Sequence, residues 1–438
     1  MTNLVGLTAI FGVLFAATKL APGFAPGSAA SVVSALGFLL LAGTLVSRLI
    51  EVLRLPHLTG YLLTGIVAGP HILALIDTAT VKQLAPVNTL ALALIALAGG
   101  AELRIEQVKS GLRSLAIATI IQSLAVAVLV GGAFILARPL VPFARQLTTG
   151  GLVAVAVLWG VVATSRSPSA TLGILAQTRA KGKLTNFALA FVMSSDVVVI
   201  LLLAAAMMIA RPLLEPGTSF SADAFRILGH EIVGSVAIGT TLGLFLAMYL
   251  KLVGRQLLIV LIALGFGASE VIRYLQFDPL LTFVVAGFVV QNLSKQGDKF
   301  LHAIEETGGV VYVLFFASAG ADLDIPLLRT LWPLALVLAG ARAVTTFGAA
   351  QLSSALAKDE PVLKRWGWTS LVAQAGLTQG LAAIIEREYS VFGAQFRALV
   401  IANVALNAIV GPILFKLALD RAGESKGPAP SLSDVQTA

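Results

Sequence analysis

The residue of this chain that is best suited to functional chemistry is a carboxylate within an apolar segment. Asp196 lies in a segment from about residue 184 to 209, directly after Ser194 and Ser195. A charged group near the middle of a membrane helix costs about 2.5–3.5 kcal/mol, so such a residue marks a functional site by default. The alternative is a protonated or salt-bridged Asp with a structural role. Carboxylate and hydroxyl oxygens suit Na⁺ or K⁺, and a carboxylate does not hold a proton and a cation well together. We therefore predict that proton and cation exclude each other at Asp196.

Two arginines lie at similar depth in other apolar segments. Arg342 stays protonated, so it needs an internal partner or a water-filled cavity. It either pairs with Asp196 in the empty site or braces the carbonyl groups of a broken helix, and both alternatives stay open. Arg166 is harder to place, because a fixed positive charge repels a bound cation. It either extends towards the cytoplasmic side or pairs with an acid, and it leaves the ion specificity open.

Two polar interruptions of apolar segments indicate broken helices. Residues 164–171 read Thr-Ser-Arg-Ser-Pro-Ser-Ala-Thr, and residues 374–380 read Gln-Ala-Gly-Leu-Thr-Gln-Gly. Proline interrupts a helix, and hydroxyls supply replacement hydrogen bonds. Freed carbonyls and half-helix dipoles at matched breaks can coordinate a small cation, although small polar residues also serve helix packing. The candidate residues of the breaks are Thr164, Ser165, Ser167, Pro168, Gln374, Gly376 and Thr378, and we predict that Thr164, Ser165 and Ser195 join Asp196 as cation ligands.

Composition places these residues in a membrane. Of 438 residues, 58% are hydrophobic and 12% charged, whereas soluble proteins have about 25% charged residues. The mean hydropathy is +0.94. Cytoplasmic Lys and Arg account for the net charge of +8 without a nucleic-acid partner. The chain has no cysteine, which excludes disulfides and thiolate metal sites.

The apolar stretches predict an all-α protein that crosses the membrane many times. We expect about fourteen helices, each long enough for about 30 Å of hydrocarbon. Most of the 30 Lys and Arg residues then lie on the side that holds both termini, which favours cytoplasmic termini and a cell (inner) membrane location. The tail at 423–438 is polar and is predicted to be disordered. The expected spans are about 2–18, 30–53, 58–76, 87–104, 110–137, 146–178, 184–212, 226–250, 255–275, 279–294, 300–321, 325–356, 362–386 and 391–419.

Part of the sequence repeats. Residues 94–105, Leu-Ile-Ala-Leu-Ala-Gly-Gly-Ala-Glu-Leu-Arg-Ile, align with residues 314–325, Leu-Phe-Phe-Ala-Ser-Ala-Gly-Ala-Asp-Leu-Asp-Ile. One span earlier, residues 61–65 align loosely with residues 280–284. The copies are an odd number of spans apart, so they enter the membrane in opposite directions. Chance similarity between Leu- and Ala-rich helices is the alternative. An inverted-topology repeat of two six-helix units is typical of secondary transporters.

These motifs resemble the monovalent cation/proton antiporters, in particular the branch of bacterial sodium/proton exchangers and Kef-type potassium efflux systems. Residues 60–70, Gly-Tyr-Leu-Leu-Thr-Gly-Ile-Val-Ala-Gly-Pro, are similar to a motif of that branch, and residues 315–324 resemble its Phe-Phe…Gly…Leu-Asp motif. The similarity covers about 30–420. Residues 164–171 match the unwound crossing helix, Asp196 matches the ion-carrying Asp, and Arg342 matches a basic residue of the third helix from the end.

The resemblance implies a homodimer with elevator-type alternating access. A scaffold of about 30–104 and 255–321 would hold a moving core of about 110–212 and 325–420. Residues 1–29 would form an extra N-terminal helix and loop, as in fourteen-helix members, and the small residues at 27–29 leave a signal peptide as the alternative for the first span. We expect no nucleotide-binding domain after the helices. Ser195 departs from the family pattern, which usually has Asp, Asn or Gln before the key Asp. A site with one carboxylate suggests electroneutral one-for-one exchange.

The sequence thus predicts a secondary transporter that exchanges Na⁺, or K⁺, for H⁺ in a lipid bilayer, and not an enzyme. It needs no cofactor beyond the transported ions. The alternative within the same fold is a carrier of an anionic solute that uses Arg166 and Arg342, or a channel or sensor. An intramembrane aspartyl protease would need two membrane carboxylates, and Asp196 alone is clearly at depth.

Overall fold

The computed structural model describes residue 12 and residues 25–53, 55–214, 223–253, 256–275, 277–294 and 296–425. Within helices, some side chains lie outside this description, that of Asp196 among them. Apart from residue 12, the first predicted span, about 2–18, also lies outside it, as do residues 426–438 of the predicted tail. The described residues form α-helices and short 3₁₀ turns and contain no strand. The predicted all-α class is confirmed.

The helices follow the predicted spans closely. Among the described residues, seven helical stretches are long and apolar enough to cross a membrane. In chain order the helices are α1 (Ala29–Glu51), α2 (His57–Ala68), α3 (Thr78–Gln83), α4 (Ala85–Glu102), α5 (Ile105–Leu136), α6 (Thr149–Ala163), α7 (Pro168–Thr178), α8 (Lys183–Leu214), α9 (Asp223–Leu252), α10 (Leu257–Tyr274), α11 (Pro279–Leu293), α12 (Gly297–Ala321), α13 (Ile325–Ala357), α14 (Pro361–Trp366), α15 (Gly376–Glu388) and α16 (Gly393–Ala422).

The predicted span at 58–76 is too long, because α2 ends at Ala68. Gly69 has an extended backbone at the C-cap, and Pro70 cannot continue a helix. The short helix α3 follows instead, with Asp77 as its N-cap accepting a hydrogen bond from the Thr80 amide at 2.9 Å. An Asp at this position satisfies a donor that the first turn leaves open.

Both predicted interruptions are breaks between separate helices. The span at 146–178 divides into α6 and α7, and Ser167 caps α7 by accepting from the Ala170 amide at 3.1 Å. Pro168 is the first residue of α7, where a missing N–H costs nothing. The span at 362–386 divides into α14, a 3₁₀ turn at Gly367–Leu371, and α15. Two half-helices therefore begin at the breaks.

Paired glycine contacts show the inverted repeat. A Cβ on Gly65 of α2 would collide with the Ala317 carbonyl oxygen of α12, and a Cβ on Gly287 of α11 would collide with the Leu97 carbonyl oxygen of α4. The sequence alignment lays Leu97 over Ala317, so the two helix pairs make equivalent contacts. The helices can approach this closely because glycine has no side chain.

The same contacts correct one part of the predicted alignment. Gly100 packs on the Val284 carbonyl of α11, and its aligned partner Gly320 packs on the Leu62 carbonyl of α2. Leu62 is thus the counterpart of Val284, and Gly65 is the counterpart of Gly287. The loose match of residues 61–65 to 280–284 was wrong by nearly one helical turn, because apolar helix sequences carry little register information.

The helices pack in two groups. In one group α2 packs on α1 and α12, and α4 packs on α10, α11 and α12. In the other, α5 packs on α6 and α13, α6 on α8, and α16 on α13 and α15. Helix α7 lies between the groups: a Cβ on its Gly173 would touch Leu58 of α2, and its Leu172 fills the space beside Gly99 of α4. This apolar contact joins the second half of the first broken helix to the other group.

Candidate functional site

The two breaks cross each other and are joined through their backbones. The Ser167 amide at the start of α7 donates to the carbonyl oxygen of Ala373, which precedes α15, at 3.0 Å. Residues 164–167 and 372–375 are extended or irregular, so their backbone groups need partners outside a helix. The breaks that the sequence predicts in separate segments therefore meet at one place in the fold.

Arg342 of α13 lies against this crossing with its side chain buried. Its Nε donates to the Ala163 carbonyl at 2.7 Å, and its Nη2 donates to the Ser165 carbonyl at 3.0 Å. Towards the second break, Nη1 donates to the Val372 carbonyl at 2.7 Å and Nη2 to the Leu371 carbonyl at 3.0 Å. This is the geometry of the bracing alternative, in which a planar guanidinium satisfies several carbonyl groups at once.

The backbone carbonyls of the breaks are consequently occupied by the protein itself. Arg342 takes those of Ala163 and Ser165, Arg166 Nη1 donates to that of Thr164 at 2.7 Å, and the Ser167 amide takes that of Ala373. The expectation that freed carbonyls coordinate a cation is not supported at these positions. Oxygen ligands at the crossing must come mainly from side chains.

The hydroxyl groups are oriented to accept rather than donate. Thr164 donates its hydroxyl proton to the Val161 carbonyl at 2.6 Å, and Ser165 donates to the Val162 carbonyl at 2.7 Å. With its proton engaged, Ser165 Oγ accepts from the Thr378 hydroxyl at 2.7 Å, which joins the two breaks again. A hydroxyl that has donated its proton to the backbone presents lone pairs, which suit a cation.

An amide network holds Ser165 from the side of the second break. Gln374 Nε2 lies 3.3 Å from both the carbonyl and the hydroxyl oxygen of Ser165. Gln374 Oε1 accepts from the side-chain amides of Asn403 at 3.1 Å and Asn407 at 2.8 Å, both on α16. These two asparagines were not among the residues predicted from the sequence. The sequence does contain a pattern that indicates them, since two side-chain amides spaced by one helical turn interrupt an apolar span.

Arg166 is buried within the first break. Besides its bond to the Thr164 carbonyl, its guanidinium lies over the ring of Phe191 of α8, 4.8 Å from the ring centroid. Extension to the cytoplasmic side is therefore wrong, because a cation on an aromatic face is held inside the protein. Two guanidinium groups thus contact adjacent carbonyls of one break.

Helix α8, which carries Asp196, packs against α6 and α7. The Asp196 side chain lies outside the described residues. Ser195 is buried, and its hydroxyl donates to the Val192 carbonyl at 2.9 Å, which leaves its lone pairs open in the same sense as those of Thr164. Among the residues whose side chains are described, no three His, Cys, Asp or Glu form a group that could hold a metal ion.

The first turn of α8 is fixed by a residue that the sequence analysis missed. Glu424 follows α16, and its carboxylate accepts from the amides of Leu184 and Thr185 and from the Thr185 hydroxyl, each at 2.8 Å. A carboxylate at a helix N-terminus satisfies open donors and complements the helix dipole. The link joins the C-terminal helix to the helix that carries Asp196.

Of the motif at 315–324, Asp322 lies just beyond the end of α12. Partial burial raises the pKa of the Asp322 carboxyl above its usual value, and the positive charge of Lys82 opposes this shift. Asp324 instead caps α13 by accepting from the Leu327 amide at 2.9 Å. The acids of this motif therefore lie at helix ends.

Inverted repeats with crossed, broken helices are typical of multi-pass secondary transporters. The family model described as the transmembrane sodium/hydrogen exchanger matches residues 36–420. The chain belongs to this family, which is a transporter family and not a class of enzymes. The predicted antiporter resemblance is confirmed.

Solved structures show the same fold. A structure of the sodium proton antiporter MjNhaP1 from Methanocaldococcus jannaschii at pH 8 matches 90% of this chain and 99% of its own, at 18% identity and a TM-score of 0.62. An electron-microscopy map of MjNhaP1 matches 92% of this chain and 100% of its own, at 17% identity and a TM-score of 0.70. At this identity the similarity concerns the fold. None of the curated proteins matches the chain.

Proposed function

We propose that the protein exchanges Na⁺ for H⁺ across the membrane, with K⁺ as the second candidate, and that Asp196 binds either ion. The observation that carries this proposal is that different groups at the crossing have different partners. Arg342 satisfies the backbone carbonyls, so the hydroxyl oxygen of Thr164 remains as a ligand, and that of Ser165 becomes one when it exchanges its bond with Thr378. Helix α8 packs beside them and carries the carboxylate that a cation needs for charge balance.

Binding in this scheme is competitive. A cation at Asp196 takes hydroxyl oxygens from Thr164 and Ser195, whereas a proton needs only the carboxylate. Ser165 joins the cation only if it exchanges its bond with Thr378. Because Ser195 stands where a second acid would be, one cation replaces one proton, and the exchange is electroneutral. Alternating access follows if the core helices move between the membrane faces only when Asp196 is loaded.

The assembly follows the family pattern. The scaffold of about 30–104 and 255–321 forms a homodimer, and the core of about 110–212 and 325–420 moves against it in an inner membrane with cytoplasmic termini. The contact of Leu172 with Gly99 lies between the two helix groups. It is apolar, so the core can slide against the scaffold there without breaking an ion pair.

An anionic solute is a second candidate, because Arg166 and Arg342 place two buried positive charges at the crossing. The contacts of Arg342 weigh against it. Its Nε, Nη1 and Nη2 all donate to carbonyl oxygens, so an anion would have to displace the brace that holds both breaks. The cation proposal leaves that brace intact.

The experiment is uptake of radioactive Na⁺ into proteoliposomes with an acidic interior. We expect the pH gradient to drive uptake, and Asp196→Asn to abolish it because an amide cannot exchange a proton for a cation. Asp298→Asn, which removes an exposed carboxylate, is the matched control and should transport normally. Unchanged uptake in Asp196→Asn would contradict the proposal, and uptake of a labelled anion instead of Na⁺ would support the second candidate.

A further inference from the structure

A small cavity lies behind the crossing, on the side of α16. Its volume is about 10 Å³, and it is lined by Trp159, Gln374, Thr378, Asn403 and three apolar residues. A space of about this size holds one water molecule when polar groups surround it. The cavity touches both breaks, because Gln374 and Thr378 belong to the second and Val162 and Ala163 lead into the first.

Two buried polar atoms of the lining residues lack a protein partner. The indole N–H of Trp159 on α6 and the Oδ1 of Asn403 on α16 form no hydrogen bond with the described part of the chain. Both residues are at least nine-tenths buried. Buried polar atoms are almost always hydrogen-bonded, either to protein or to ordered water. One donor and one acceptor are thus left at the same cavity.

The orientation of Asn403 follows from its neighbours. Its Nδ2 donates to Gln374 Oε1, which also accepts from Asn407. Gln374 in turn directs its Nε2 towards Ser165. Exchanging the Asn403 nitrogen and oxygen would bring two oxygens together, so Oδ1 is left for another partner.

The chemistry of the two atoms selects the ligand. A group that satisfies both must accept from Trp159 and donate to Asn403. A Na⁺ or K⁺ ion cannot do so, since the indole N–H presents positive charge to it. A water molecule can, and its second proton can be accepted by Thr378 Oγ1, whose own proton goes to Ser165. Three hydrogen bonds are typical of buried water.

We propose that this cavity is a binding site for one structural water molecule, which links Trp159 of α6, Asn403 of α16 and Thr378 of α15. The water completes a hydrogen-bonded ring behind the crossing, from Asn403 through Gln374 to Ser165 and Thr378. Asn403 is then a positioning residue, which holds Gln374 against Ser165 without contacting the transported ion. The proposal does not depend on which ion is carried.

A spectroscopic test leaves the site intact. The protein has 4 tryptophans, and replacing Trp332, Trp366 and Trp368 by Phe leaves Trp159 as the only indole. We expect the ultraviolet resonance Raman band that reports indole hydrogen bonding to show a bonded N–H. Asn403→Leu should shift this band towards a free N–H, because the water loses an acceptor. A free N–H in the variant that retains Asn403 would overturn the proposal.

A double-mutant cycle on thermal unfolding in detergent provides the second test. Trp159→Phe and Asn403→Leu should be non-additive, because either change removes the need for the shared water. The control cycle pairs Trp159→Phe with Asn407→Leu. Asn407 also donates to Gln374 but does not line the cavity, so the unfolding shifts should add. Additive shifts in both cycles would overturn the proposal, as would a high-resolution map without density between Trp159 and Asn403.

Discussion

The Ser167 amide donates to the Ala373 carbonyl oxygen at 3.0 Å, and this bond joins the break of one repeat to the break of the other. The two residues lie in segments that enter the membrane in opposite directions. Their contact makes the crossing one structural unit, in which the Arg342 guanidinium satisfies backbone carbonyls of both breaks and the Thr164 hydroxyl oxygen remains for a ligand.

Removing the Arg342 brace should destabilise the fold. Arg342→Met leaves several buried carbonyls without a donor, at about 1–3 kcal/mol each, so we expect a loss of at least about 3 kcal/mol of unfolding free energy. Arg342→Lys should recover only part of this loss, because an ammonium group cannot reach both breaks as a planar fork does. The measurement is unfolding in detergent by tryptophan fluorescence.

The control for Arg342 is Arg329→Met on the same helix. Arg329 is exposed, so its removal should change stability by about 0.5 kcal/mol or less. Equal stability of Arg342→Met and Arg329→Met would show that the carbonyls find other partners, and that Arg342 does not hold the crossing.

Adding a methyl group at Gly65 or at Gly287 should reduce the free energy of unfolding by similar amounts. Gly65→Ala and Gly287→Ala place a Cβ against backbone oxygens of the facing helix, and the resulting strain should cost about 1–3 kcal/mol each. Gly267→Ala is the control, because no atom lies near its Cβ position. The same unfolding assay checks this. A large effect at Gly65 with none at Gly287 would contradict the equivalence of the two helix pairs.

Glu424 should stabilise the first turn of α8. Glu424→Ala leaves three donors open and should cost about 1–2 kcal/mol, with faster hydrogen exchange at the amides of Leu184 and Thr185. Glu424→Gln should lose less, because one carbonyl oxygen remains as an acceptor. Glu360→Ala removes the nearby exposed ion pair with Lys183 and should have little effect. Unchanged exchange at Leu184 in Glu424→Ala would refute the cap.

The buried positive charge of the native Arg166 side chain should weaken cation binding at the site. Arg166→Gln removes a buried positive charge that repels the cation, and we expect the KM for Na⁺ to fall by about tenfold, equivalent to about 1.4 kcal/mol. Arg166→Lys keeps the charge and should retain a KM close to that of the wild type. Initial rates of Na⁺ uptake into proteoliposomes measure both. A higher KM in Arg166→Gln would show that Arg166 supports the site by its contacts rather than opposing the ion by its charge.

Local signals predicted the breaks well, because Pro168 and Gly376 act on their own backbone. The burial of Arg342 also followed from its charge and depth. The sequence did not show whether Arg342 pairs with Asp196 or braces the carbonyls of a broken helix, since the bracing carbonyls come from both repeats. The role of Glu424 as a helix cap could not be predicted from the sequence for a related reason. It caps a helix 240 positions away, and nothing in the polar residues after α16 indicates that one of them turns back to α8.

The central claim is that Asp196 exchanges one proton for one cation. The most direct measurement is proton release when Na⁺ is added to the purified protein in weakly buffered detergent solution, with bound radioactive Na⁺ counted in parallel. The account predicts about one proton released per Na⁺ bound, and neither event in Asp196→Asn. Na⁺ binding that releases no proton, or that persists in Asp196→Asn, would contradict it.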